Sequence, residues 1–166
     1  MTRVSVAMAV RDVEAYIDEA LDSVLEQVGP DDEVVVVDDG STDTTPERLT
    51  ARGPRIVLAR QPHQGVSAAR NLSLDHCSGR FIAFLDGDDR WAPGALDRLV
   101  AGVEAHPEAT GVVGRTDEFV DEAVSDRAAA GLRAPASDVL GHFLGAMLLR
   151  REIVDAVRFD PDQSLA

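Results

Sequence analysis

The sequence contains no lysine, so all 16 basic side chains are arginines, and they stand against 30 aspartates and glutamates. The formal net charge of the 166-residue chain is −14 at pH 7. So acidic a surface repels phosphate backbones, which argues against a nucleic-acid-binding protein. Binding of a small phosphate compound stays compatible with this charge where a metal ion, arginines or backbone N–H groups offset it.

Cysteine and long apolar runs are also scarce. Cys77 is the only cysteine, which excludes an internal disulfide, and since no second Cys/His pair is near it we expect a packing thiol rather than a zinc site. No apolar stretch approaches the ~18–20 residues that span a bilayer. The strand-like pattern starts directly after residue 3, which leaves no room for a signal peptide. We therefore expect a cytoplasmic protein, with peripheral membrane contact left open.

Aromatic residues make up only 4% of the chain, so Val, Leu and Ala must form most of the core. Apolar runs predict strands over residues 4–10, 33–37, 55–60, 81–85, 111–115 and 144–149. Helical spacing predicts helices after an N-cap at Asp12, from Thr45, over 66–77, from Pro93 to 103, and over 151–157. This alternation favours one α/β domain over residues 1–166, with a largely parallel sheet flanked by helices. Residues 117–137 show little periodicity and are interpreted as a surface excursion.

Two of the predicted strands end in clusters of carboxylates, Asp38-Asp39 and Asp86-Gly87-Asp88-Asp89. The carboxyl ends of strands line the ligand crevice of an open α/β sheet, so both clusters face one region if their strands lie side by side. Crowded carboxylates repel one another unless they share a cation, and Mg²⁺ or Mn²⁺ prefers such oxygen ligands. The glycine would let backbone and ligand approach closely. The Asp38 cluster alone is more typical of a polar turn with helix caps, and an Asp-x-Asp alone is common on acidic surfaces, whereas both together favour a ligand site.

Four runs of residues carry a resemblance to a known family: VSVAMAVRD (4–12), VVVVDDGSTD (34–43), GVSAARN (65–71) and FIAFLDGDD (81–89). In this order and spacing they resemble family 2 glycosyltransferases of the GT-A fold. The later runs GAMLLRR (145–151) and RFD (158–160) are similar to that family as well. The resemblance covers nearly the whole chain. It implies a donor-binding core over about residues 1–115 and the start of an acceptor-side part over 138–166.

The resemblance implies a nucleotide-diphospho-sugar donor, with UDP as the expected nucleotide. Asp39 would accept a hydrogen bond from the nucleotide base. Ala9 and Arg11 would lie beside that base at the end of the first strand. Arg70 would help to hold the nucleotide. The acceptor is left open.

The same resemblance implies a Mg²⁺ or Mn²⁺ ion at the second acidic cluster. Asp86, followed by Gly87, would meet the ribose or the metal, and Asp88 would ligate the metal that bridges the diphosphate. Such an ion neutralises charge that develops on the leaving diphosphate. A general base would take the proton of the acceptor hydroxyl, and the sugar would be transferred with inversion.

Three departures from the family pattern bear on these expectations. Residues 9–12 read Ala-Val-Arg-Asp where the family commonly has Pro-Val-Tyr-Asn, so Arg11 either stacks on the base in place of the Tyr or is an exposed solubilising residue. His63 stands where many relatives carry Asn, and a surface residue without a role is expected there, with a loop histidine that helps near the phosphate as the alternative. The family's general base follows the segment that Phe159-Asp160 matches. We expect it beyond Ala166 and assign neither Asp160 nor Asp162 as the base.

Other functional classes fit less well. A response receiver needs a lysine beside its acidic pocket, and haloacid-dehalogenase-like phosphatases carry Asp-x-Asp after the first strand rather than the fourth. A sugar-1-phosphate nucleotidyltransferase would need a glycine-rich basic loop after the first strand. The alternative that stays open is a truncated or non-catalytic module that binds nucleotide sugars. Missing helices would leave apolar surface exposed, so a homodimer is also left open.

Overall fold

The computed structural model describes residues 3–115 and 144–161. In these residues a six-stranded sheet has the order β3-β2-β1-β4-β6-β5. The strands are β1 (Val4–Val10), β2 (Glu33–Asp38), β3 (Val57–Arg60), β4 (Phe81–Phe84), β5 (Gly111–Val113) and β6 (Met147–Arg150). The first four strands in that order are parallel, whereas β6 runs antiparallel to both β4 and β5. The prediction of an α/β fold with a largely parallel sheet is confirmed.

The helices follow the predicted alternation with shifted ends. They are α1 (Ile17–Leu25), α2 (Thr45–Ala51), α3 (Val66–His76), α4 (Ala95–Ala105) and α5 (Arg151–Ala156). Leu144–Ala146, predicted to begin a strand, forms a 3-10 turn, and β6 starts at Met147. Among the described helices, none is long and apolar enough to cross a membrane. The predicted excursion over 117–137 lies outside the described residues.

The predicted helix N-cap at Asp12 is wrong. Helix α1 begins only at Ile17, and Asp12 has a left-handed backbone with φ 50. The Asp12 carboxylate instead accepts a hydrogen bond of 2.7 Å from the backbone N–H of Thr42, in the loop after β2. A short polar side chain that bonds the backbone of another loop offers the chain an alternative to helix, which delays the helix start.

Helices cover both faces of the sheet. Helices α1, α2 and α4 pack with Val34 and Val36 in one core cluster, while α3 and α5 pack with Val35 in the other. Because successive side chains of a strand point to opposite faces, the valine run of β2 is buried on both sides. Burial of each such valine contributes on the order of 1.5 kcal/mol. Cys77 is buried in the second cluster, which confirms the predicted packing thiol.

The two aspartate-tipped strands do not lie side by side, which was the condition for both clusters to face one region, because β1 lies between β2 and β4. Neighbouring strands are about 4.8 Å apart, so the ends of β2 and β4 are separated by about 10 Å. The chain builds β2 and β3 on one side of β1 and then crosses to build β4 on the other. In open α/β sheets a ligand crevice forms at the carboxyl ends next to such a switch of direction.

Candidate functional site

The ends of β1, β2 and β4 meet around Val10, the last residue of β1. The backbone N–H of Asp39 donates to the carbonyl of Val10 at 2.9 Å. On the other side, a Cβ placed on Gly87 would lie 2.9 Å from Cγ1 of Val10 and 3.0 Å from Cγ2 of Val13. The two acidic clusters therefore flank one strand end. Close packing against Val10 and Val13 explains the glycine at position 87. The predicted close approach of a ligand to Gly87 stays a prediction.

The Asp39 carboxylate is almost fully buried, with 4% of the side chain exposed. Oδ1 accepts from Nε2 of Gln61 at 2.7 Å and from the backbone N–H of Gln64 at 2.8 Å. Oδ2 accepts from Nδ1 of His63 at 2.7 Å and from the backbone N–H of Gly65 at 2.9 Å. Burial raises the pKa of Asp39, but these four hydrogen bonds outweigh it and hold the pKa below the ordinary value of 3.8.

A carboxylate has about four acceptor positions, and Asp39 uses all of them on the loop that leads into α3. Its implied hydrogen bond to a nucleotide base would need one of these donors to give way. His63 is the donor with the most freedom, because half of its side chain is exposed, whereas the donors from Gln64 and Gly65 are backbone groups.

His63 is not a surface residue without a role, which corrects that prediction. Its Nε2 lies 2.7 Å from Nη1 of Arg11, and its Nδ1 lies 2.7 Å from Oδ2 of Asp39. An arginine can only donate, so Nε2 accepts and Nδ1 carries the proton that is donated to Asp39. The two departures from the family pattern, Arg11 and His63, therefore contact each other and form one chain that ends at Asp39.

The other half of the Asp-Asp pair is a turn-forming residue, as the simpler interpretation of that cluster expects. Asp38 is buried, and its Oδ1 accepts from the backbone N–H of Ser41 at 2.9 Å. Its Oδ2 lies 2.9 Å from Nε of Arg60 in an ion pair that lacks hydrogen-bond geometry. Gly40 has φ 74, and a Cβ on it would lie 2.8 Å from the backbone nitrogen of His63. No other residue type fits the turn there without displacing the loop that Asp39 holds.

The second acidic cluster brings three carboxylates together after β4. Asp86 is paired with Arg70, whose Nη2 lies 2.8 Å from Oδ1 of Asp86. Asp88 is exposed and Asp89 is half-buried. Burial raises the pKa of Asp89 above its ordinary value, and the negative charges of Asp86 and Asp88 raise it further. Mutual repulsion of this kind is what a bound cation relieves.

Ala9 and Arg70 lie on the same face of the sheet. Ala9 is paired in register with Val37 near the end of β1, and by strand alternation it shares the face of Ala7, which packs in the cluster with α3. Arg70 is on α3, and only 12% of its side chain is exposed. The structure thus brings the predicted residues of β1, α3 and the β4 end to the face of the sheet that α3 covers.

Three residues that contribute to this region were given no role from the sequence, although Asn71 and Phe159 lie in the runs that resemble the family. Gln61 holds Asp39, the Phe159 ring lies against Arg70, and Asn71 binds the backbone of Phe159 in both directions. Gln61 is 22 residues from its partner Asp39 in the sequence, and Asn71 is 88 residues from its partner Phe159. No local sequence pattern predicts contacts between residues so far apart in the chain.

Comparison with known proteins places this arrangement in a family. The sequence profile described as glycosyl transferase family 2 matches residues 5–157. Glycosyltransferase GlyA from Streptococcus pneumoniae serotype 4 is 39% identical over 90 residues, which make up 52% of this chain and 13% of that protein. The uncharacterized glycosyltransferase alr2836 from Nostoc sp. is 33% identical over 133 residues, or 73% of this chain and 40% of that protein.

Solved structures give the same result for the fold. Residues 1–349 of S. aureus TarS superpose with a TM-score of 0.75 at 23% identity, covering 99% of this chain and 52% of that one. The mannosyltransferase PcManGT from Pyrobaculum calidifontis, solved with GDP-Man and Mn²⁺, gives a TM-score of 0.72 at 26% identity over 96% of this chain and 48% of that one. The predicted GT-A fold is confirmed, and the chain spans about half the length of these structures. With a family profile that covers residues 5–157, the chain belongs to glycosyl transferase family 2.

Proposed function

We propose that this chain binds a nucleotide-diphospho-sugar donor at the carboxyl ends of β1, β2 and β4 and forms the donor-binding part of a glycosyltransferase. The observation that carries the proposal is the pair of carboxylate clusters on either side of Val10 in a family 2 chain. Two structural neighbours support the ligand class, since TarS was solved with UDP and PcManGT with GDP-Man. UDP is the nucleotide we expect.

The nucleotide base would lie beside Ala9, Arg11 and the loop that Asp39 holds. Asp39 fixes that loop through four hydrogen bonds. An N–H of the base would replace His63 as a donor to Asp39, because His63 is the half-exposed partner. Arg11 would then be released from His63 and could place its guanidinium plane on the base.

A divalent cation fits the second cluster in one particular way. Carboxylate oxygens suit Mg²⁺ or Mn²⁺, and the pKa of Asp89 is raised first by burial and then by the negative charges of Asp86 and Asp88. Within the residues that the structure describes, however, no group of three or more acidic, His or Cys side chains is arranged to hold a metal by itself. An ion held by Asp88 would therefore need further oxygen ligands from a diphosphate, with Asp86 paired to Arg70.

The chain's own residues would bind and orient the donor. Arg70 and the loop before α3 would hold the nucleotide, and the cation would supply charge stabilisation for the leaving diphosphate. Attack by an acceptor hydroxyl would invert the anomeric carbon, with a general base outside the described residues taking the proton. The alternative, a donor-binding module without transfer activity, shares this site and differs only in turnover.

The test is a titration of UDP, GDP and dTDP into the chain with and without Mn²⁺, followed by calorimetry and by thermal unfolding. We expect one diphosphate to bind and stabilise the protein only when Mn²⁺ is present. At 100 times the dissociation constant the stabilisation is about 2.7 kcal/mol.

Asp88→Ala should abolish the effect of Mn²⁺. Asp97→Ala, which removes an exposed carboxylate of α4, is the matched control and should bind like the wild type. Absence of binding by all three diphosphates to a folded wild-type chain would refute the proposal. Sugar transfer assayed with a longer family member that contains this region separates the enzyme from the binding module.

A further inference from the structure

A short segment after α5 lies against the donor-site face of α3. The Nδ2 group of Asn71 donates to the carbonyl of Phe159 at 2.8 Å, and the N–H of Phe159 donates to Oδ1 of Asn71 at 3.0 Å. Arg158 adds an ion pair of 3.0 Å to Asp75 on the same helix. Two opposed hydrogen bonds from one amide side chain fix the backbone of Phe159 in both position and direction.

This attachment places the Phe159 ring in contact with two other side chains. One edge-to-face contact, with ring centroids 5.7 Å apart at 85°, joins it to Phe84, the last residue of β4. In addition, Cζ of Arg70 lies 5.5 Å from the centroid of the Phe159 ring. Aromatic rings attract a guanidinium at such distances, and the attraction is stronger when the cation is removed from water.

Arg70 is held from two directions as a result. Its Nη2 donates to Oδ1 of Asp86 at 2.8 Å, and its side chain is 12% exposed. The carboxylate fixes the end of the guanidinium, while the Phe159 ring lies against it. An arginine has many rotamers, so ordering it before a ligand arrives lowers the entropic cost of binding.

We propose that Phe159 is a positioning residue for Arg70, and that docking of the segment Arg158–Asp160 onto α3 is thereby coupled to binding of the donor diphosphate. The inference rests on the proposed function for its ligand, but the position of Arg70 is a property of the ligand-free protein. Phe159 acts through Arg70, so removing Arg70 removes the effect of Phe159.

The first measurement needs no ligand. The ¹⁵Nε–¹Hε NMR signal of Arg70, assigned by its loss in Arg70→Lys, reports the ring current of Phe159. In Phe159→Leu, which keeps an apolar contact with Phe84 but has no ring, this signal should shift downfield. In Phe159→Tyr it should stay in place. An unchanged signal in Phe159→Leu would overturn the proposal.

The second measurement is the affinity for UDP, GDP and dTDP with Mn²⁺ by calorimetry. Phe159→Leu should weaken binding of the preferred diphosphate about fivefold, which corresponds to about 1 kcal/mol, and Phe159→Tyr should restore it. Asn71→Ala, which detaches the segment by another route, should weaken binding in the same direction. Arg80→Ala removes a similar arginine–ring contact at the opposite end of β4 and should leave the affinity unchanged.

A double-mutant cycle separates positioning from general damage to the fold. In the Arg70→Ala background, adding Phe159→Leu should change the affinity by less than about twofold, because the two residues act in series. A full fivefold loss in that background would overturn the proposal. If the wild type binds none of the three diphosphates, the proposed function fails, whereas an unchanged Arg70 signal in Phe159→Leu would show that Phe159 does not contact Arg70 and cannot position it.

Discussion

Replacing Asp39 by Asn changes one oxygen of a buried carboxylate to an amide nitrogen. Each carboxylate oxygen accepts one backbone N–H, from Gln64 on Oδ1 and from Gly65 on Oδ2. In either orientation of the Asn side chain, its NH₂ group therefore lies opposite a backbone N–H, which is also a donor and cannot become an acceptor. Gln61 could rotate its amide to compensate, but a backbone N–H cannot.

The magnitude follows from these contacts. A buried donor left without a partner costs about 1–3 kcal/mol, and the remaining three hydrogen bonds lose the strengthening that the negative charge provides. We expect Asp39→Asn to lower the free energy of unfolding by about 3 kcal/mol. For a chain of this size that corresponds to a fall in Tm of roughly 6–12 °C.

The effect also has a defined pH dependence. The folded-state pKa of Asp39 lies below its ordinary value of 3.8, so the charged carboxylate stabilises the fold above the pKa of the unfolded state. That contribution is lost as the pH falls through the lower folded-state pKa. The difference in unfolding free energy between wild type and Asp39→Asn should be constant from pH 6 to 8 and should narrow below about pH 4.

Urea unfolding followed by circular dichroism measures both quantities. Asp97→Asn, an exposed change of the same charge on α4, is the control and should stay within about 0.5 kcal/mol of the wild type. A loss of less than 0.5 kcal/mol for Asp39→Asn would be incompatible with the four hydrogen bonds described above, as would a difference that grows at low pH.

Three further predictions concern the surroundings of the site. Gly87→Ala should destabilise the chain by about 1–3 kcal/mol in urea unfolding, because the new Cβ would lie 2.9 and 3.0 Å from core side chains. Gly29→Ala is the control and should lower the free energy of unfolding far less, because its Cβ would make an ordinary contact at 3.6 Å. Equal losses in the two variants would contradict the packing argument. Burial raises the pKa of the Cys77 thiol to about 12, so the native protein should not react with iodoacetamide at pH 8 while the urea-unfolded chain reacts fully; rapid native labelling would refute this. His63→Ala removes one hydrogen bond from Asp39 and should raise the pKa of Asp39, measured by NMR titration of its carboxyl carbon, whereas an unchanged pKa would show that the His63 contact is absent in solution.

Much of the fold could be predicted because its signals are local. The valines at 34–37 are buried on both faces of the sheet, as a run without polar alternation indicates. The predicted start of α1 was wrong because the Asp12 side chain can form two kinds of hydrogen bond that the sequence does not distinguish. It can cap its own helix, or it can bond the backbone of the loop after β2, as it does at Thr42.

Long-range partners limited the prediction of the site. No local sequence pattern determines the order of strands in a sheet. The sequence could therefore suggest that the two acidic clusters lie at the same edge of the sheet, but not that β1 lies between their strands. The contact between Arg11 and His63 joins residues 52 positions apart. The sequence treats Arg11 and His63 as separate departures from the family, and only their proximity in the structure shows that they form one chain with Asp39.

We propose above that a donor diphosphate and a divalent ion share the carboxyl end of β1, between the loop that Asp39 holds and Asp88. A crystal structure of the chain with Mn²⁺ and the diphosphate that binds in solution tests this directly through the anomalous signal of Mn²⁺. We expect an anomalous peak within about 2.2 Å of the Asp88 carboxylate, in contact with the diphosphate oxygens. A nucleotide bound elsewhere on the molecule, or an ion remote from Asp88, would contradict it.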